Sequence, residues 1–224
     1  MTEVSRLAQV TAQLRSHYGS PTWADSSNGW ELFLRVLLVG PVEEVSSDIQ
    51  ETLQSPSLRS PQQTTETTAG QLVEVLAKVP RGPQKASLLR IVADWWLKTF
   101  GEETSPDWSA PLMSYRESLR KIRGLGPATV DELLTFAAKL PVFPVSRGVI
   151  RVAVRHGWLD LPVEDADAQA YFVQGLRDAS IDGREFSQLM SRVAEDFCGR
   201  EPKCEGCPLQ PLLPAGGPLN PDSV

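Results

Sequence analysis

A chain of 224 residues with 41% hydrophobic content can bury a sizeable core as one large domain or two small ones, while a net charge of −6 by itself argues against a nucleic-acid partner. No apolar run reaches the ~20 residues needed to span a membrane. Residues 1–19 (MTEVSRLAQVTAQLRSHYG) have the spacing of an amphipathic helix and lack the apolar stretch of a secretion signal. The expectation is a cytoplasmic protein, nucleoid-associated in a bacterial cell, with no membrane partner.

Helical periodicity dominates and predicts an all-α chain. After the N-terminal helix, residues 30–39 (WELFLRVLLV) are nearly all apolar and predict a buried helix. Residues 53–70 (LQSPSLRSPQQTTETTAG), rich in Pro, Ser, Thr and Gln, predict a long surface loop. Helical spacing returns over 71–79, 85–100, 115–122, 127–139, 148–156, 168–176 and 183–198. Residues 209–224, punctuated by Pro and Gly, predict a frayed tail. No period-two run and no internal repeat interrupts this pattern.

The stretch LRKIRGLGPATVDELL, residues 119–134, places Gly-Leu-Gly-Pro between two amphipathic segments. Ser114 and Glu117 have the spacing of a capping box, which predicts a helix start there. Gly124 and Gly126 accept the positive φ of a tight turn, and Pro127 suits the first position of the next helix. The result is a helix, hairpin, helix unit over about 114–139. Its free amides, at the positive end of the second helix dipole, can hold a phosphate oxygen.

Charge is distributed unevenly around that unit. Arg116, Arg120, Lys121, Arg123, Lys139, Arg147, Arg151 and Arg155 outnumber Glu117, Asp131 and Glu132, so 116–155 carries +5 and the rest of the chain −11. A local basic face of this kind can hold DNA on an acidic protein. The three cysteines, Cys198, Cys204 and Cys207, lie within ten residues of one another. An odd, clustered number is poor material for a disulfide framework and points to a metal or cluster site.

Taken in order, L-x-x-I-x-G-L-G-P-A-T-V, an apolar helix, VFPVSRGVIRVAVRHGWL and a C-terminal cysteine group resemble the endonuclease III branch of the helix-hairpin-helix DNA glycosylases. Residues 30–38 look like that family's first barrel helix, and Gly82-Pro-Gln-Lys-Ala86 like its Gly-x-x-x-x-Lys-Ala segment with shortened spacing. The resemblance covers 28–208. It implies a two-lobed, all-α fold: a six-helix barrel, 29–141, and a discontinuous iron–sulfur helical domain, 1–28 plus 142–224, carrying the cysteines at 198–207. It further implies a monomer that binds double-stranded DNA, damaged DNA included. Arg123, Gly124, Leu125, Gly126, Ala128, Thr129 and Arg147 would contact the strand, Pro41 and Arg81 would stand at its probing loops, and the target base would be flipped out.

Two side chains carry the family's chemistry, and neither is present. The lysine that forms a Schiff base with the sugar falls on Ala128, whose methyl group cannot form an imine. The aspartate that stabilises positive charge on the sugar falls on Ser146, which is neutral at pH 7. Asp131, three residues beyond Ala128, is the weak substitute candidate, and a solvated helix acid is its ordinary reading. Lys121 and Lys139 miss the lysine position. A base-excision repair protein that binds duplex DNA, with glycosylase and abasic-site lyase activity weak or absent, is therefore expected. An active, divergent glycosylase of altered lesion specificity, using non-standard residues, is the alternative.

The cysteine spacing C-x5-C-x2-C departs from the family's C-x6-C-x2-C-x5-C, the fourth position falling on Leu213. A 4Fe–4S cluster on three thiolates is expected, with Asp196, Glu201, Glu205 or His17 conceivable as fourth ligand. A zinc site, or no metal, is the alternative.

Overall fold

The structure is a computed structural model, and it describes residues 3–41 and 44–219. Among these residues it is all-helical, with no strand. None of its helices is long and apolar enough to cross a membrane. The chain divides into two compact units, one joining the segment up to Pro21 with everything from Pro141 onward, the other comprising Thr22–Leu140. Residues 22–28 thus group with the second unit, not with the N-terminal helix. One cause is local: the Ala24 amide donates to Pro41 O at 3.3 Å.

In the Thr22–Leu140 unit, α2 (Gly29–Val39) is the central helix. Asn28 caps it by accepting the Glu31 amide at 3.1 Å. Trp30, Phe33, Leu34 and Leu38 are completely or almost completely buried, as the unbroken apolar run requires. Trp30 crosses Trp96 edge to face at 5.1 Å, and the indole N–H groups reach Leu58 O and Glu103 O.

The Pro/Ser/Thr-rich stretch after α2 is helical, not a long loop. It contains the end of α3 (Ser47–Leu53), a single 3₁₀ turn (Pro56–Leu58), α4 (Pro61–Glu66) and the start of α5 (Ala69–Val75). Its Ser and Thr residues are caps rather than loop filler. Ser60 accepts the Gln63 amide ahead of Pro61, and Thr68 with Gln71 forms a full capping box. Short polar helices give no clear apolar stripe, yet Leu58, Thr64 and Leu72 are sealed in the core.

α6 (Gly82–Phe100) begins at a left-handed Arg81, φ 56°. Gly82 is obligatory, since a Cβ there would lie 2.0 Å from Leu76 O. α7 (Leu112–Arg120) starts after Pro111, two residues before Ser114, so the Ser114/Glu117 capping box does not form; the Ser114 amide is already bonded to Pro111 O at 2.9 Å. α8 (Pro127–Glu132) widens into a π-helical turn, Leu133–Ala137, all five of whose residues are buried.

In the other unit, α1 (Glu3–Tyr18) lays Leu7, Val10 and Leu14 against α10 (Asp165–Asp178) and α11 (Gly183–Asp196). α9 (Arg147–Arg155) packs on α11 at very close range: a Cβ on Gly148 would stand 2.9 Å from the Ala194 Cβ. The expected frayed tail is ordered as far as it is described. Leu209 is fully buried, a 3₁₀ turn covers Gln210–Leu212, and the Leu219 amide bonds Arg155 O at 2.9 Å.

Candidate nucleic-acid interface and cysteine pocket

The turn between α7 and α8 closes through two successive bonds, Ile122 N to Leu119 O at 3.0 Å and Leu125 N to Ile122 O at 3.1 Å. Only one glycine needs its conformational freedom: Gly124 has φ 104°, whereas Gly126 is extended at φ −74°. Gly126 serves a different purpose, because a Cβ there would meet no atom within 4 Å and the main chain lies open to an approaching group. Leu125 is buried and anchors the turn, so it can offer a ligand only its backbone. Arg123, Gly124, Gly126 and Pro127 are exposed, and Ala128 and Thr129 half-buried. The first bond of α8 is Val130 N to Gly126 O, 3.0 Å, so the Ala128 and Thr129 amides precede the intrahelical ladder.

The basic segment does not form one face. Arg116 is held in a two-pronged ion pair with Asp131, at 2.7 and 2.8 Å, and Arg120 approaches the same carboxylate at 3.7 Å. Lys139 pairs with Asp25 at 3.0 Å. Arg151 and Arg155 are committed to the cysteine loop described below. Lys121, Arg123 and Arg147 remain exposed. Helical spacing placed these cations near one another in sequence; the ion pairs and carbonyls that claim five of the eight come from other elements.

Asp131 is neither a solvated acid nor a free catalyst. It is 2% exposed, and both its oxygens are engaged by Arg116, so it ties α7 to α8. Pro41 is likewise buried rather than presented as a probe, its carbonyl taken by Ala24. Arg81 is exposed at the N-terminus of α6. Four residues further along, Lys85 reaches the C-terminal carbonyls of α2, Leu38 O at 2.7 Å and Leu37 O at 3.2 Å, where a cation complements the helix dipole. Burial, and then the Arg81 charge, hold its pKa below the usual lysine range.

The side chain missed by the sequence reading is Glu132. It stands one helical turn beyond Ala128, on the same face, and accepts no hydrogen bond among the described residues. Burial raises its pKa to about 7, against the pull of Lys85. The i, i+4 spacing from Ala128 was readable; its burial was not, because an acid in an otherwise polar helix turn reads as solvated. Ser146, in the other unit, is the N-cap of α9, its Oγ accepting the Val149 amide at 3.2 Å.

The three cysteines are free thiols, and all line one small pocket at the end of α9 together with Arg155, His156, Leu209 and Leu213. Leu213, the fourth ligand position by resemblance, therefore does face the site, but with no donor atom. The loop is held from α9: Arg151 Nε donates to Cys198 O at 2.7 Å, and Arg155, 4% exposed, donates to Gly199 O at 2.8 Å and Arg200 O at 2.7 Å. Arg155 also points Nη1 at Cys198 Sγ, 3.3 Å away, while its buried Nε–H has no acceptor. The pocket that the three cysteines line thus also contains a buried guanidinium with one unsatisfied donor.

Burial pushes the Cys207 thiol up, and charge on Cys198 and Cys204 adds to it, so the three sulfurs are within electrostatic reach of one another. Among the described residues no three Cys, His, Asp or Glu side chains converge tightly enough to chelate a single ion. The cavity among these side chains is small, about 20 Å³. None of the four fourth-ligand candidates lines the pocket. Asp196 accepts from Tyr18 Oη at 2.9 Å, His17 packs on the Tyr18 and Phe197 rings, and Glu201 and Glu205 are exposed.

No protein-family model and no curated protein matches the chain. Solved structures do. A non-covalent endonuclease III–DNA complex aligns with a TM-score of 0.69 at 16% identity, over 96% of this chain and 97% of that one. A trapped endonuclease III–DNA covalent intermediate with an estranged adenine aligns at 0.65 and 16%, over 95% and 96%. A thermostable thymine-DNA glycosylase aligns at 0.64 and 14%, over 94% of each chain. Across nearly its whole length the chain thus has the helical fold shared by endonuclease III and thymine-DNA glycosylase.

Proposed function

We propose that this chain is an endonuclease III-like protein of base excision repair that grips duplex DNA, damaged DNA included, through the 121–129 turn, acts as a monomer in the cytoplasm, and has weak or no glycosylase and lyase activity. The Thr22–Leu140 unit is read as the six-helix barrel and the other as the iron–sulfur domain. The carrying observation is the open turn: exposed main chain at Gly124 and Gly126, followed by the unbonded Ala128 and Thr129 amides, in a fold whose compared structures include DNA complexes. Exposed Arg123, Arg147 and Arg81 are the cations assigned to the phosphates or the minor groove. Ala128 and Ser146 supply neither an amine for an imine nor a carboxylate for the sugar cation, which is why catalysis is read as lost.

A cluster belongs to the same reading. Cys198, Cys204 and Cys207 would hold 4Fe–4S, with the Arg155 guanidinium also lining the pocket. Zinc is the alternative occupant, and no three Cys, His, Asp or Glu side chains among the described residues are placed to chelate a single ion. When bound, such a group could transfer an electron or brace the loop.

Fluorescence anisotropy on a short duplex tests the reading. Replacing Gly124 by Ala and Gly126 by Val together should weaken binding about tenfold, equally for every sequence, if the backbone amides hold phosphate. Unchanged affinity in a folded double variant would reject the turn as the grip. Borohydride trapping on abasic DNA should give no covalent complex with the natural chain and a clear one with Ala128→Lys combined with Ser146→Asp. Glu132 supports a second reading, a divergent active glycosylase. Release of a base from a lesion panel, abolished by Glu132→Gln, would establish it.

A further inference from the structure

We propose that Cys204 and Cys207 are a reversible dithiol/disulfide couple, a modification site for small-molecule disulfides of the glutathione type. This stands apart from the cluster reading. It concerns the chain's own sulfurs, and a closed bridge and a bound metal exclude each other.

The turn that carries the pair has the shape a bridge needs. In Cys204-Glu-Gly-Cys207 the Cys207 amide donates to Cys204 O at 3.1 Å, and Gly206 takes φ 79°. A four-residue turn closed in this way brings its first and last Cα atoms to within about 7 Å, and a disulfide spans about 4.4–6.8 Å. The main chain is pinned on both sides of the turn. The Lys203 amide bonds Phe197 O at 2.8 Å, the Gln210 amide bonds Cys207 O at 3.0 Å, and Leu209 between them is fully buried. Arg151 and Arg155 hold the carbonyls of 198–200 from α9. The chain's own hydrogen bonds therefore keep the loop in shape and the two cysteines at bridging range.

The third thiol is placed differently. Cys198 is 7% exposed, with its Sγ 3.3 Å from Arg155 Nη1, whereas Cys204 and Cys207 are half-buried. A reagent in solution meets the C-x-x-C pair first. One cysteine, as thiolate, attacks a sulfur of glutathione disulfide; that S–S bond breaks and one glutathione leaves. The second cysteine then attacks the protein sulfur of the mixed disulfide and releases the other glutathione. Two electrons pass from the cysteine sulfurs to the glutathione sulfurs, and two protons end on the released thiols. Closure takes away two of the three thiols that a metal would use, so the surrounding thiol pool decides whether the pocket can be loaded.

Trypsin cuts after Arg192, Arg200 and Lys203, which puts Cys204 and Cys207 on peptide 204–224 and Cys198 on 193–200. Iron and zinc are first counted on the full-length chain as purified, and that count tests the cluster reading alone. A chelator then removes any metal, and the chain is equilibrated in glutathione buffers, folded and in urea, before its free thiols are alkylated and its peptides weighed. Peptide 204–224 should escape alkylation and be lighter by two hydrogen atoms, reversibly with reductant. Its disulfide-to-dithiol ratio should be at least about tenfold higher in the folded chain than in the unfolded one. Gly206→Val, strained at φ 79° but meeting no neighbouring atom, should erase that advantage, and Cys198→Ser should keep it. Equal ratios, a bridge joining the two peptides, glutathione adducts alone, or loss of helical circular dichroism on chelation would each overturn the proposal.

Discussion

Replacing Glu132 by Gln isolates one buried carboxyl group whose influence on stability has a definite sign. In the unfolded chain it titrates near 4.5; in the fold, burial lifts it to about 7. At about 1.4 kcal/mol for each tenfold change in proton affinity, the difference is about 3 kcal/mol. A raised acid is accommodated in its neutral form. Its contribution is therefore complete below pH 4.5, declines as the pH rises, and is gone once the pH passes 7, where the fold must carry a desolvated charge. Glutamine keeps the shape without the charge. Between pH 4.5 and 8 the stability of Glu132→Gln relative to the natural chain should thus rise by about 3 kcal/mol. His156, whose pKa is lowered by burial, acts in the opposite sense. It is common to both proteins and cancels in the difference. Urea unfolding at several pH values measures the gap, and carboxyl ¹³C shifts report the titration directly. A gap that stays constant across this range, or a Glu132 midpoint near 4.5, would refute the reasoning.

Three further substitutions probe the scaffold. Gly82→Ala must move the backbone around Leu76 O, 2.0 Å from the new methyl group, and should cost about 3 kcal/mol or more, seen as a lowered Tm. Asp131→Asn leaves the Arg116 guanidinium buried without its counter-charge and should cost about 3 kcal/mol in urea unfolding, whether or not DNA is present. At Ser146, Asp should leave stability within about 0.5 kcal/mol because it also caps α9, while Ala should lose about 1 kcal/mol; a large loss for Asp would mean that the side chain does more than cap.

How much of this was legible in the sequence depends on whether a residue's role is settled by its neighbours in the chain or by distant ones. The apolar helix at 30–39, the Gly-Leu-Gly-Pro turn and the convergence of three cysteines follow from local spacing, and the fold agrees with them. Arg116, Arg151 and Arg155 look alike in sequence, yet one is buried in an ion pair with the next helix and two hold the 198–200 loop. That distinction needs partners up to 47 residues away. The helices within 53–70 were obscured because their Ser, Thr and Pro residues serve as caps, the same types that mark loops.

The unit comprising Thr22–Leu140 is an insertion within the other one, and this dictates an order of events during synthesis. α1 leaves the ribosome first, but the residues that cover Leu7, Val10 and Leu14 lie on α10 and α11, and the partner of Arg15 is Glu185, 170 residues later. Throughout that interval its apolar stripe has no native cover, while the inserted unit, complete by Leu140, is free to fold on the emerging chain. At about 5–20 residues per second the wait lasts on the order of ten seconds or more. The nascent N-terminal helix is thus the natural substrate of a ribosome-bound chaperone, and truncations ending before α11 should be captured by one and be prone to aggregate.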